Sequence, residues 1–212
     1  MDEADDRLTN VFWLGGAPCA GKSSIGAILA RRFDLDLYRV DDAFDRHVRS
    51  LDGGRQSPLV RWCAASCDER WMQPVDVLVR DAIACYREHL ALVLADVRAW
   101  PTGRPLLVEG TALLPREVAE VVPDPSRALW VVATPAFVRE HYPLRDWVWG
   151  VLATCTDSKR AFSNWMDRDV DFGAWVEAEV DHLGLRRLSV DGCHSVEEVA
   201  DAVAMHVGLH RM

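Results

Sequence analysis

Apolar positions along the chain change period several times, and each change marks an element. Residues 10–15, NVFWLG, form a continuous apolar run ended by glycine, the pattern of a strand buried on both faces. Residues 22–33, KSSIGAILARRF, place Ile25, Ile28 and Leu29 at helical spacing. LDLYRV at 35–40 predicts a second strand, closed by Asp41-Asp42. A short helix follows before Gly53-Gly54 and Pro58 break the chain. From Pro74 to Trp100 the residues Val75, Leu78, Ala82, Tyr86, Leu90, Val93, Val97 and Trp100 keep a helical period, with Pro74 suited to a first turn. RPLLVEG at 104–110, RALWVVAT at 127–134 and RRLSV at 186–190 predict three more strands. A mostly helical, charged region fills the stretch up to about residue 183. Ser195 and Glu198 form the Ser-x-x-Glu pattern that starts a last helix. Five short apolar strands alternating with helices predict an α/β fold in three layers. Its five-stranded parallel sheet carries helices on both faces, joined by right-handed crossovers.

Composition narrows the setting. The chain has 212 residues, half of them apolar, and fits one domain with a substantial core. Its 33 acidic against 24 basic side chains give a formal charge of −9, which argues against nucleic acid as a partner. The opening MDEADDRLTN is acidic where a targeting segment would be basic, and no apolar run reaches the length of a membrane span. A cytoplasmic location without a membrane partner is the expectation. With nothing else pointing to secretion, the six cysteines are expected to be free thiols, with Cys63 and Cys67 as small core residues of one helix. Nine tryptophans against six Phe and three Tyr are unusual. Trp62 and Trp71 fall between the second and third strands, and Trp147, Trp149 and Trp165 between the fourth and fifth.

The sharpest chemical signal is GAPCAGKS at 16–23, a complete Gly-x-x-x-x-Gly-Lys-Ser between a predicted strand and a predicted helix. Gly16 and Gly21 permit a tight backbone turn that can approach a phosphate. The N–H groups of Cys19, Ala20, Gly21, Lys22, Ser23 and Ser24 then gather at a helix N-terminus, which favours anions. Lys22 is placed to bridge the outer phosphates of ATP, and Ser23 Oγ to ligate Mg²⁺. Glu109, at the end of the third strand, is a candidate for the magnesium shell, the alternative being a simple strand-end acid. Asp41 is a candidate base for an acceptor hydroxyl. Asp42 is either a second functional carboxylate or the N-cap of the next helix.

The strand–loop–helix at 10–33 and the plan of the rest resemble the nucleoside monophosphate kinase-like group of small P-loop kinases. YRVDD at 38–42 resembles the strand-end Asp of its antibiotic and metabolite kinases, such as chloramphenicol phosphotransferase and shikimate kinase. The resemblance implies a P-loop NTPase fold with an acceptor-binding helical insert at 42–100, a lid at 139–170 and an adenine-reading loop at 190–199. Glu109-Gly110 with Pro115-Arg116 is similar to the group's Asp-Gly-x-Pro-Arg acceptor motif, but three residues too long. Of the lid arginines Arg139, Arg145, Arg160 and Arg168, the candidates for the transferring phosphoryl group are Arg145 and Arg168, with a solvated helix face as the alternative. No Asn-Lys-x-Asp guanine signature is present. The expected activity is ATP- and Mg²⁺-dependent transfer of the γ-phosphoryl group to a hydroxyl or phosphate of a small molecule. A nucleoside or nucleotide kinase, and a regulatory protein that only binds ATP, remain as alternatives.

Overall fold

The computed structural model describes residues 6–51, 57–101 and 103–210. In chain order the elements are β1 (Val11–Gly16), α1 (Lys22–Phe33), β2 (Asp36–Arg39), α2 (Val40–Ser50), α3 (Pro58–Ala64), α4 (Cys67–Trp71) and α5 (Val75–Arg98). After them come β3 (Leu106–Glu109), α6 (Pro115–Ala119), β4 (Ala128–Ala133), α7 (Pro135–His141), α8 (Asp146–Leu152), α9 (Ser158–His182), β5 (Arg187–Val190) and α10 (Val196–Val207). All pairings in the five-stranded sheet are parallel, in the order β2-β3-β1-β4-β5. The expected α/β class and strand number are therefore observed. Gly53, Gly54 and Arg55 lie outside the described residues.

The three central strands are buried along their whole length, which is why their sequences read as unbroken apolar runs. Alternate residues split between two cores. Phe12, Leu14, Leu107, Leu129 and Val131 pack with α1 and α10 on one face. Trp13, Val108, Trp130 and Val132 pack with α5, α6 and the C-terminal half of α9 on the other. Trp13 and Trp130 are thus sheet core, and Trp130 Nε1 donates to Leu113 O at 2.8 Å. Ser195 caps α10 in the expected box with Glu198.

Three local expectations are corrected. Pro74 is the N-cap of α5 rather than a first-turn residue. Cys63 and Cys67 belong to two helices, because α3 stops at Ala64 and Ser66 caps α4 through its own box with Glu69. Cys63 is exposed, and Cys67 is bonded to Cys155 in a disulfide across 88 positions, so the cysteines are not all free.

A polar cluster fixes α2 to α5 beneath β2. Asp96 accepts from Tyr38 Oη at 2.6 Å, from Arg46 at 2.6 Å and from His47 Nε2 at 2.8 Å. With His47 donating there, its Nδ1 accepts from His89 Nε2 at 3.0 Å. Burial, and then the neighbouring His47, hold the His89 ring down to about 4. Unfolding releases it to an ordinary 6.5, so the unfolded chain takes up the proton first as pH falls. Stability should therefore drop between pH 6.5 and about 4, by on the order of 1–2 kcal/mol at pH 5. The depressed Asp96 carboxyl adds an acid loss only below its own ordinary range. Urea denaturation at pH 7.5, 6 and 5 should show this slope in the native chain and a flatter one in His89→Gln.

Candidate active site

The loop after β1 is shaped by a close backbone approach. Gly16 has φ +126°, and a Cβ there would lie 1.9 Å from Val131 O of β4. Ala17 N donates to that same carbonyl at 3.1 Å, which turns the chain across the carboxyl edge of the sheet. Cys19 and Gly21 continue the curl at φ +65° and +80°. Gly21 is the N-cap of α1 and supplies no side-chain acceptor. The first-turn N–H groups therefore have no side-chain cap, the condition under which a helix N-terminus takes an anion.

Lys22 is buried under this loop, with Nζ donating to Ala17 O at 2.7 Å. Burial lowers its pKa, while Asp41, Glu109 and Asp169 pull it back up. Glu109 ends β3 and is 3% exposed. Burial raises its pKa, opposed first by Lys22 and then by a hydrogen bond from Ser23. Two close approaches hold these groups together. A Cβ on Gly26 would meet Glu109 Cγ at 3.2 Å, and one on Gly110 would meet Val40 Cβ at 2.4 Å. The starts of α1 and α2 thus crowd the end of β3.

Asp42 does not cap the following helix. That helix begins at Val40 with Arg39 as its N-cap, because the apolar Val40 packs into the core directly after β2. Asp41 and Asp42 are instead first-turn residues, where carboxylates suit the helix dipole. Both line the space beyond the loop.

That space is a cavity of about 800 Å³. The phosphate loop from Cys19 to Ser24, Asp41, Arg145 and Arg168 all line it; Gly16 lies behind the loop and shapes it. Arg145 stands over the Tyr142 ring at 4.8 Å, and the Cys19 thiol has its pKa raised by burial and lowered by Arg145. Arg168 is 6% exposed and lies over the Trp71 ring at 5.1 Å. Its Nε is 2.8 Å from Asp169 Oδ1, an ion-pair approach without hydrogen-bond angles, so both atoms remain without a hydrogen-bond partner. Trp165 Nε1 donates to the other Asp169 oxygen at 3.1 Å. Burial pushes the Asp169 carboxyl up and Arg168 pulls it down. Burial likewise pushes the Tyr86 hydroxyl up to about 12 beside Arg168.

Sequence patterns marked Tyr86 only as an apolar position of a helix and did not single out Asp169 or Tyr142. They become part of the site only through packing of α5, α9 and the turn before α8.

The segment 42–100 meets the segment 139–170 along an aromatic wall. Trp71 stacks on Trp165 at 4.2 Å, with Trp62 edge-on to Trp71 at 5.3 Å and Trp147 5.8 Å from Trp165. The wall is fastened by Asn164 Nδ2 donating to Trp71 O at 2.8 Å, by Thr156 N donating to Asp68 at 2.9 Å, and by the Cys67–Cys155 disulfide.

Several expected residues are elsewhere. Arg139 pairs with Asp167 on the surface and Arg160 is exposed; neither lines the cavity. Arg116 pairs with Glu179, so the Pro115-Arg116 pair does not serve the cavity. Three further basic residues of the segment 42–100 are held away from the cavity, Arg46 and His47 by Asp96 and Arg70 by the carbonyl of Ala65. The turn at 191–194 is exposed and apart from the cavity, with Asp191 accepting from Cys193 N.

Among the described residues no helix is long and apolar enough to cross a membrane. No family model matches the chain, and no curated protein matches it. Solved structures do. The chain is similar to a gluconokinase from Sinorhizobium meliloti at 13% identity and TM-score 0.48, over 95% of this chain and 93% of that one. It is similar to a shikimate kinase from Acinetobacter baumannii, in complex with shikimate, at 9% identity and TM-score 0.48, over 92% and 90%. A tunicamycin resistance protein from Deinococcus radiodurans matches at 13% identity and TM-score 0.46, over 94% and 96%. At these identities and scores the likeness says nothing of substrate.

The disulfide closes a long loop, so its loss should be felt by the whole domain. Reduction with dithiothreitol, or Cys155→Ser, should destabilise the chain by about 2–4 kcal/mol. Denaturation curves with and without reductant check this; identical midpoints would show that the bond contributes nothing.

Proposed function

We propose that the protein is an ATP- and Mg²⁺-dependent phosphotransferase acting on a small-molecule hydroxyl. One observation carries the reading: the uncapped phosphate loop, Lys22, Asp41 and two arginines share one cavity with room beyond them for a second reactant, and the strand-end Glu109 lies in an adjoining groove with Ser23 and Asp41. A nucleotide-binding protein without an acceptor has no need of that second space.

In this reading the loop N–H groups and Lys22 hold the β- and γ-phosphates of ATP, as the displaced Ala17 carbonyl releases Nζ. Ser23 and Glu109 offer a hydroxyl and a carboxylate oxygen. This hard-oxygen donor set suits a cation that keeps most of its waters, as Mg²⁺ does. When bound, Mg²⁺ would neutralise charge on the phosphates. Asp41 accepts the acceptor's hydroxyl proton while the oxygen forms its bond to the γ-phosphorus. The bond from that phosphorus to the β–γ bridging oxygen breaks, and ADP leaves. Arg145 and Arg168 face the same space and stabilise charge on the moving group. The segment 42–100 holds the acceptor, and 139–170 covers the reactants and keeps water out.

Lys22→Ala should cut acceptor-dependent ADP release by about 10²–10³-fold. Asp41→Asn should cut it by about 10²–10⁴-fold with ATP affinity nearly unchanged. Coupled ADP assays and ATP titration by tryptophan fluorescence measure both. Full turnover in Lys22→Ala would remove the phosphotransferase reading. Equal losses of turnover and ATP affinity in Asp41→Asn would remove the base role.

A further inference from the structure

The balance of charge in the cavity narrows the second reactant, given the phosphotransfer reading on which this inference rests. Three basic side chains line the space: Lys22, Arg145 and Arg168. Lys22 lies under the phosphate loop and Arg145 lies beside Cys19 of that loop, so both belong to the polyphosphate. Arg168 is already matched by Asp169 at 2.8 Å. On the acceptor side the charged groups are acidic. Asp42 and Asp45 project from α2 into the same cavity, and among the described residues neither makes an ion pair or a side-chain hydrogen bond. Among the described residues Arg46, Arg61 and Arg70 do not line the cavity, and Arg39 meets Asp42 only in a separate groove with Ser24 and Glu109.

The rest of that half is apolar and aromatic. Trp62, Trp71 and Trp165 form a continuous face, and Leu59, Ala82 and Phe44 also line the space. Trp147, half exposed, extends the aromatic face at the lid. One charged side chain lines this wall. Arg168 is more than nine-tenths buried, with its Nε turned to Asp169 at 2.8 Å. Because its charge is balanced by Asp169, it suits a neutral oxygen acceptor better than an anion. A second phosphate or a carboxylate on the acceptor would meet two carboxylates without an ion pair and, among the described lining residues, no spare cation, a like-charge placement that selects against it.

We propose that the acceptor is an alcohol that carries no anionic group and has an aromatic or apolar face, seated on the Trp62–Trp71–Trp165 wall, with Asp42 and Asp45 excluding phosphorylated and carboxylate-bearing compounds. Its neutral or basic polar groups lie toward α2, and its reacting hydroxyl lies toward Asp41. This sets the chain apart from kinases of nucleotides and of hydroxy acids.

Matched pairs of compounds test it, each pair sharing a skeleton and differing in one anionic group: nucleosides and their monophosphates, aryl alcohols and aryl hydroxy acids, amino sugars and sugar acids. The intact protein, saturated with ATP and Mg²⁺, is read by ADP release and by tryptophan fluorescence. The expected result is a response to the non-anionic member of at least one pair, with the anionic member weaker by on the order of tenfold or more in KM or Kd. Asp45→Lys lies on an exposed helix position, and its folding is checked by its melting curve. It should narrow that gap at least about fivefold. A stronger response to any anionic member, or an unchanged gap in a folded Asp45→Lys, would overturn the assignment. Silence in both readouts across all pairs would also overturn it, since the cavity would then bind no such ligand. A fluorescence response confined to the non-anionic members without added ADP release would uphold the ligand class while removing phosphotransfer.

Discussion

The structure around the cavity depends on how closely the end of β1 runs against β4. No side chain fits between Gly16 and the Val131 carbonyl, so the strand can end there only as glycine. The hydrogen bond from Ala17 N to that carbonyl then starts a left-handed curl through Cys19 and Gly21. This curl delivers α1 with bare N–H groups and folds Lys22 underneath. A buried ammonium donating to the Ala17 carbonyl is poorly solvated, which lowers its pKa, and the three carboxylates around it oppose that shift. The loop is therefore an anion site with its buried lysine held by a hydrogen bond to a backbone carbonyl.

Where chemistry is encoded in contiguous residues, the sequence discloses it. GAPCAGKS specifies a turn, a helix start and a cation within eight positions, and the flanking apolar runs specify the strand and helix that hold them. The three central strands were legible for a related reason: burial on both faces leaves no polar position to interrupt them. Asp42 was misplaced by one helical turn because Val40, read as the last strand residue, starts α2 instead. Asp169 and Tyr142 belong to no motif, and Tyr86 was legible only as an apolar position of a helix. Their proximity exists only after α5, α9 and the turn before α8 have packed. The Cys67–Cys155 bond was invisible for the same reason, with its partners 88 positions apart.

The aromatic wall changes how closure should be pictured. An insert and a lid that move independently would each carry their own tryptophans to the ligand. Here Trp71 and Trp165 are stacked on each other, and hydrogen bonds and a covalent bond fasten the two segments near the stack. In the proposed reading, closure would involve the pair as one body or the short α8 and the turn before it, where Leu144, Trp147, Trp149 and Val151 are exposed. An exposed apolar stripe on a surface segment is costly unless something covers it for part of the cycle. An apolar-faced acceptor beneath Trp147 is one such cover.

The acidic excess acquires a structural meaning once the basic residues are followed individually. Arg32 is held by Glu197 and Asp201, Arg46 by Asp96, and Arg87 by Glu117. Arg104 is held by Asp34 and Asp36, Arg116 by Glu179, Arg139 by Asp167, and Arg187 by Glu177 and Asp181. These exposed or half-exposed pairs contribute little stability each. Their effect is on the field. They cancel positive charge at these points of the outer surface, while Arg145 faces the cavity beside the phosphate loop. On the acceptor side the same acidity is left uncancelled at Asp42 and Asp45. One cavity thereby presents opposite signs to its two reactants, attracting a polyphosphate at one end and rejecting anions at the other.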